Sequence, residues 1–130
     1  MLTNIKDKAI CFETSVEPQS LELTADLEFV EQILINLLLN ALHAVEGKKK
    51  ARIDLEARLD GRGRIIIQVR DNGPGIPEEN IEKIFIPFFS TKEGGSGIGL
   101  SLSRQIMRLH HGSIGVHSEP NIKTVFTLRF

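Results

Sequence analysis

Ile65-Ile66-Ile67-Gln68-Val69 is apolar at almost every position. A strand with one wet face alternates apolar and polar residues, so a nearly unbroken run belongs at the centre of a sheet. It stops at Asp71-Asn72-Gly73-Pro74-Gly75, a cluster of turn-forming residues. Upstream, Ile53, Leu55, Ala57 and Leu59 alternate with Asp54, Glu56 and Arg58, the pattern of a half-buried strand. Asp60-Gly61-Arg62-Gly63 is the turn that joins the two into a hairpin.

Further elements fall around this pair. Residues 9–14 read as a first strand, and residues 21–24 as a short extended piece after a turn at Pro18. Asp26 is the expected N-cap of a helix from residue 27 to about residue 45. Its apolar set, Val30, Ile33, Leu34, Leu37, Leu38, Ala41 and Val45, has helical spacing, and Gly47 followed by three lysines ends it. Residues 71–96 form a long glycine- and proline-marked segment with a short helical turn around residues 80–85. A second long helix is expected over residues 98–111, closed by Gly112. Residues 113–118 and 124–130 form a last hairpin around Pro120-Asn121. The expectation is an α+β fold, a two-layer α/β sandwich with a mixed, mainly antiparallel sheet packed on about three helices.

The whole chain, residues 1–130, reads as one domain. Strand-like residues begin almost at once, which suggests a piece of a longer protein. A net charge of −1 gives no general attraction to nucleic acid or to an anionic membrane. The lone Cys11 excludes an internal disulfide framework and a multi-cysteine zinc site, and it suits a reducing cytoplasm. No apolar run approaches the roughly 20 residues of a membrane span.

Three groups of residues carry chemistry. On the first helix Gln32, Asn36, Asn40 and His43 share one face beside the apolar one. The two asparagines either bond across to a neighbouring strand or loop, or Asn40 offers its carbonyl oxygen to Mg²⁺, which prefers oxygen donors. The Asp71–Gly75 segment is either a plain strand-ending turn or the acidic anchor for an exocyclic amine. Gly94-Gly95-Ser96-Gly97-Ile98-Gly99-Leu100 opens the second helix, where backbone N–H groups unobstructed by a Cβ approach phosphates. Between them lies Phe85-Ile86-Pro87-Phe88-Phe89-Ser90-Thr91-Lys92. Its phenylalanines are core residues under a loop, or the loop is a lid with Lys92 as a point charge for a phosphate. Acidic anchor, Asn pair and glycine loop together point to a nucleotide pocket.

These residues resemble the nucleotide-binding boxes of sensor histidine kinases. Asn36-Leu37-Leu38-Leu39-Asn40-Ala41 looks like the N box, Asp71 to Gly75 the first G box, and Phe85-Ile86-Pro87-Phe88-Phe89 the F box. Gly95-Ser96-Gly97-Ile98-Gly99-Leu100 looks like the second G box. They occur in family order across nearly the whole chain. The residues 90–95 and Ser118-Glu119-Pro120 resemble nitrogen-regulation-type kinases in particular. The fold implied is the Bergerat ATP-binding sandwich shared with gyrase, the heat-shock chaperone and mismatch-repair ATPases.

The resemblance implies ATP and Mg²⁺ as cofactors, with Asp71 on the adenine amino group, Gly73, Gly75 and Ile76 shaping that pocket, and Asn40 on the metal. Asn36 and His43 would face the phosphate side. Phe88, Thr91, Lys92, Gly95, Ser96, Gly97, Ile98, Gly99 and Leu100 would complete the site, and Thr124 matches the threonine of the last glycine box. There the chain departs from the pattern, because Asn121-Ile122-Lys123 lacks the expected glycines. Hydrolysing relatives place a glutamate where Asn36 stands, and an amide is no general base. Phosphoryl transfer to an external histidine is therefore implied, with no strictly catalytic residue in this chain. His43, His110, His111 and His117 all lack a phosphoacceptor context; His110 and His111 are expected to be cap or surface residues. The implied partners are the dimerisation and phosphoacceptor domain of a parent kinase and a response-regulator receiver domain. Neither nucleic acid nor membrane is expected to touch this domain, which would be a cytoplasmic monomer when isolated. The alternatives are an anti-sigma-type serine protein kinase and a nucleotide-binding regulatory module without phosphotransfer.

Overall fold

The computed structural model describes residues 10–89 and 99–130. In chain order the elements are β1 (Cys11–Glu17), α1 (Leu27–Ala44), β2 (Arg52–Leu59), β3 (Ile65–Asp71), two single-turn 3₁₀ helices (Glu78–Asn80 and Lys83–Phe85), α2 (Gly99–Leu109), β4 (Ser113–Glu119) and β5 (Lys123–Arg129). Among the described residues the sheet has five strands in the order β1-β2-β3-β5-β4. Only β1 and β2 run parallel, and the other pairs are antiparallel. The mixed, mainly antiparallel sheet against a helical layer matches the expected sandwich, the 3₁₀ pair standing as the third, short helical element.

The apolar run of β3 is central as expected, with Ile66, Ile67 and Val69 buried between β2 and β5. α1 lays Val30, Ile33, Leu37 and Ala41 on the sheet, a stripe that Val45 continues past the helix end. α2 adds Ile106 and Met107, and Ile53, Phe126 and Leu128 meet them from the strands. Asp26 caps α1 through a bond from Phe29 N–H to its Oδ1 at 3.3 Å. By length and mean hydropathy (1.2) α1 is the one described helix that would suit a bilayer. Glu28, Glu31, Gln32, Asn36 and Asn40 interrupt its apolar residues, and Val30, Ile33, Leu37 and Ala41 are buried in the domain core.

Three expectations need correction. β1 extends to Glu17 rather than residue 14, because it pairs with β2 from Cys11↔Arg52 to Glu17↔Arg58. It stops where Pro18 has no N–H to offer.

α2 ends in a left-handed residue as expected, but that residue is His111 (φ 58°), not Gly112. His111 N–H bonds Arg108 O at 3.0 Å and Gly112 N–H bonds Met107 O at 2.8 Å, the two bonds of a Schellman cap. Gly112 is a glycine for a different reason: a Cβ there would collide with Arg129 O and lie 3.0 Å from Met107 Cε.

His110 is no mere cap. Its Nε2 accepts from Asp26 N–H at 3.1 Å while Nδ1 donates to Ile106 O at 2.9 Å. One neutral tautomer satisfies both bonds. The ring is flanked edge-on by Phe29 and Phe130, with centroids 6.4 and 6.5 Å away. His110 thus ties the end of α2 to the start of α1.

Candidate nucleotide site

β3 delivers Asp71 to its last position on the face that carries Val69 and Ile67, so the carboxylate sits at the edge of the core, 5 % exposed. β5 places Thr124 directly opposite it, 4 % exposed. A buried carboxylate is costly unless it is hydrogen-bonded, and Gly73 N–H donates to Asp71 Oδ1 at 2.9 Å. That bond folds the chain back after the strand. Gly73 then rests on the last turn of α1, where a Cβ would come within 2.7 Å of Ala44 O. Gly75 takes φ +84° and has no room either, with Ser118 Oγ 2.8 Å from the place of a Cβ. Ile76 follows, half-buried against the core.

The far side of the loop is fastened by Asn72, a residue to which sequence reasoning gave no role. Its side chain accepts from Arg52 N–H at 2.8 Å and donates to Lys50 O at 2.9 Å. Ser118 was missed in the same way. It accepts from Ile76 N–H at 2.8 Å and lies 3.3 Å from Thr124 Oγ1. Neither residue had a local signal for these bonds, because Arg52 and Lys50 lie 20 and 22 positions from Asn72 and Ile76 lies 42 positions from Ser118.

The missing glycines before Thr124 have a structural counterpart. Ile122 N–H bonds Glu119 O at 3.0 Å, closing a turn with Pro120 second and Asn121 third at φ +62°. Asparagine tolerates that left-handed position where a glycine would otherwise serve. Asn121 N–H also bonds Pro74 O at 2.8 Å, joining the hairpin end to the Asp71 loop.

Asn36 and Asn40 lie one turn apart on α1, both half-buried. The Nδ2 of Asn36 is buried with no hydrogen-bond partner among the described residues. It faces Gly99, the first residue of α2, where a Cβ would fall 2.6 Å from Asn36 Cγ. Ser103 Oγ donates back to Gly99 O at 2.8 Å. Leu100 is half-buried against the core. One helix therefore touches both glycine segments: Asn36 meets Gly99 and Ala44 meets Gly73, about 12 Å apart along its axis.

The remaining expected residues divide. His43 is exposed in the last turn of α1. Phe88 is at the surface, 79 % exposed and at φ 66°. Of the three loop phenylalanines read either as core or as part of a lid, only Phe85 is buried, with the Arg104 guanidinium 5.1 Å over its ring. Thr91, Lys92, Gly95, Ser96, Gly97 and Ile98 lie outside the described residues. The other face of the sheet holds a shallow trough of about 260 Å³ lined by Glu13, Arg52, Asp54, Glu56 and Arg70. There the hydrogen bonds that the Arg52 guanidinium donates to Asp54, and the charges of Asp54 and Glu13, raise its affinity for its proton. These are solvated ion pairs, which contribute little to stability.

Buried acid, glycine turns and an asparagine seam have counterparts in known proteins. Residues 25–130 match the family described as histidine kinase-, DNA gyrase B- and HSP90-like ATPases. The chain is 41 % identical over 106 residues to the sensor histidine kinase ZraS of Salmonella typhimurium, covering 82 % of this chain and 22 % of that protein. It is 32 % identical over 130 residues to the sensory histidine kinase/phosphatase NtrB of Vibrio alginolyticus, covering 93 % of this chain and 37 % of that one. The chain thus spans little more than a third of these relatives at most. The catalytic domain of histidine kinase ThkA, solved free of nucleotide, superposes with a TM-score of 0.81 at 34 % identity, covering 98 % of this chain and 85 % of that one. The chain belongs to the histidine kinase-, DNA gyrase B- and HSP90-like ATPase family, as an ATP-binding domain of the sensor-histidine-kinase type.

Proposed function

We propose that this chain binds Mg-ATP and presents its γ-phosphoryl group to a histidine on the dimerisation domain of a parent two-component kinase. The observation that carries the reading is the buried Asp71 opposite Thr124, whose loop rests through Gly73 on the helix α1 that also meets, through Asn36, the glycine that opens α2. Asp71 accepts a hydrogen bond from the adenine amino group in the slot walled by Gly73, Gly75 and Ile76. Asn36, with an amide nitrogen buried and unpartnered beside Gly99, fits a phosphate oxygen. Asn40 is the residue that would hold Mg²⁺, through an oxygen of the kind this ion prefers. The ion supplies charge neutralisation at the phosphates. By their match to the family's boxes we assign Thr91, Lys92, Gly95, Ser96, Gly97 and Ile98 to the phosphates, together with His43, Phe88 and Leu100.

Asn36 stands where a water-activating acid would be needed, so hydrolysis is slow and transfer depends on positioning. The acceptor histidine lies outside this chain, and the phosphoryl group passes on to an aspartate of a response regulator. ThkA has been solved in complex with the response regulator protein TrrA, and its kinase chain superposes on this one with a TM-score of 0.75 at 31 % identity. We place the domain in the cytoplasm, without direct membrane or nucleic-acid contact. Asn121 takes up the turn left by the missing glycines, so that departure from the family pattern lends no support to a regulatory module without phosphotransfer.

The test is calorimetric titration of Mg-ATP into the wild-type chain and Asp71→Asn, with GTP as control. Magnesium-dependent ATP binding that the variant loses is the expected result. Equal binding of ATP and GTP, or an unaffected variant, would overturn the reading.

A further inference from the structure

Ser118 stands on β4, outside every nucleotide-binding box, yet three parts of the candidate base slot converge on its hydroxyl. Ile76 N–H donates to Ser118 Oγ at 2.8 Å. Thr124 Oγ1 and Lys123 O each lie 3.3 Å from the same oxygen. Gly75, at φ +84°, leaves the space that the hydroxyl fills, and a Cβ there would stand 2.8 Å from it. Ser118 is half-buried, and it pairs with Thr124 in the β4–β5 register, as Thr124 pairs with Asp71 in β3–β5. A row of side chains Ser118, Thr124 and Asp71 therefore crosses three adjacent strands.

We propose that Ser118 is a positioning residue for adenine recognition, acting through Ile76 and Thr124. The inference rests on the reading of Asp71 as the adenine anchor. Ser118 Oγ takes the Ile76 N–H on one lone pair and keeps a second lone pair and one proton for Lys123 O and Thr124 Oγ1. Holding Thr124 holds the side chain that stands opposite Asp71 in the β3–β5 register, while Gly73 N–H holds Asp71 Oδ1 from the loop side. The Ile76 bond meanwhile fixes the far end of the loop that starts at Asp71. The one other described backbone tie between loop and hairpin is Asn121 N–H to Pro74 O at 2.8 Å, so Ser118 sets the Ile76 end alone.

The experiment compares Kd values of the 130-residue chain for Mg-ATP and for the magnesium complex of purine riboside triphosphate, which lacks the amino group. Ser118→Ala is expected to weaken Mg-ATP about tenfold, the range for one lost buried hydrogen bond. The amine-free analogue should change less than about twofold, so that selectivity collapses, and Ser118→Thr should restore it. Thermal unfolding of the same samples monitors the fold, and Ser118→Cys, of similar volume with a poor hydrogen-bonding group, carries the test if the alanine variant does not fold. Equal weakening of both nucleotides reduces Ser118 to a structural tie and overturns the proposal. Unchanged binding in Ser118→Ala, with Asp71→Asn impaired, overturns it while leaving the anchor standing. Undiminished ATP binding in Asp71→Asn removes the anchor itself, and the proposal falls with it.

Discussion

Replacing Asn36 by alanine should make the nucleotide-free domain more stable. The Nδ2 group is buried without a partner among the described residues, and an unsatisfied buried donor costs about 1–3 kcal/mol. Alanine also gains roughly 0.5 kcal/mol as a helix former at an interior position of α1. Against this stands the loss of packing over Gly99, which is on the order of 1 kcal/mol for a half-buried side chain of this size. The balance is a gain of about 1–2 kcal/mol, or roughly 3–8 °C in Tm for a domain of this length. Urea and thermal unfolding of both proteins without nucleotide measure it directly. Adding Mg-ATP reverses the order: a ligand at a hundredfold excess over its Kd stabilises by about 2.7 kcal/mol, and the variant should lose most of that increment. A variant less stable than wild type without nucleotide would show that the amide serves the fold, and the argument from an unpaired donor would be refuted.

Other expectations concern the frame around the site. His111→Gly should raise stability by about 0.5–1 kcal/mol in urea unfolding, because glycine takes the left-handed cap position at φ 58° without strain. Gly112→Ala should lower it by about 1–3 kcal/mol, the range for overpacking against Arg129 O and Met107 Cε; no loss would mean that the chain end moves aside easily. His110→Ala should cost about 1–2 kcal/mol by leaving Asp26 N–H and Ile106 O without their bridge. Asp60 is held below the usual carboxylate range by bonds from the Arg64 and Arg62 N–H groups. A depressed folded-state value contributes stability above the ordinary carboxylate range and loses it as the pH falls through the lowered one. The stability gap between wild type and Asp60→Asn should therefore be widest near neutrality and close in acid, which unfolding curves over a pH series will read.

How much of this was legible depends on how local the physics is. The β3 run and the α1 stripe declare themselves because burial imposes a period on neighbouring residues. β1 carries no such period, being exposed at all seven positions. Its length is set by parallel pairing with β2 and by Pro18, and pairing leaves little trace in the strand that receives it. Gly112 shows a subtler limit. The cap prediction named the right residue type for the end of a helix, but the left-handed position went to His111 while the glycine answers to β5. Asp71, Asn36 and Gly99 could be chosen as site residues because acid, amide and glycine have chemical signatures. Their convergence, and the part taken by Ser118 and Asn72, depends on contacts between residues far apart in the chain.

Because both glycine segments rest on α1, the helix works as a gauge block: it fixes how far apart the two rims of the site can stand. Flexing of the sheet or a tilt of α1 carries both rims together and leaves their spacing intact. A single-residue deletion between Asn36 and Ala44 would do what tilting cannot, turning one end by about 100° against the other. Most surface positions of this helix are free to vary in kind, and none of the eight steps between those two contacts is free to vary in number.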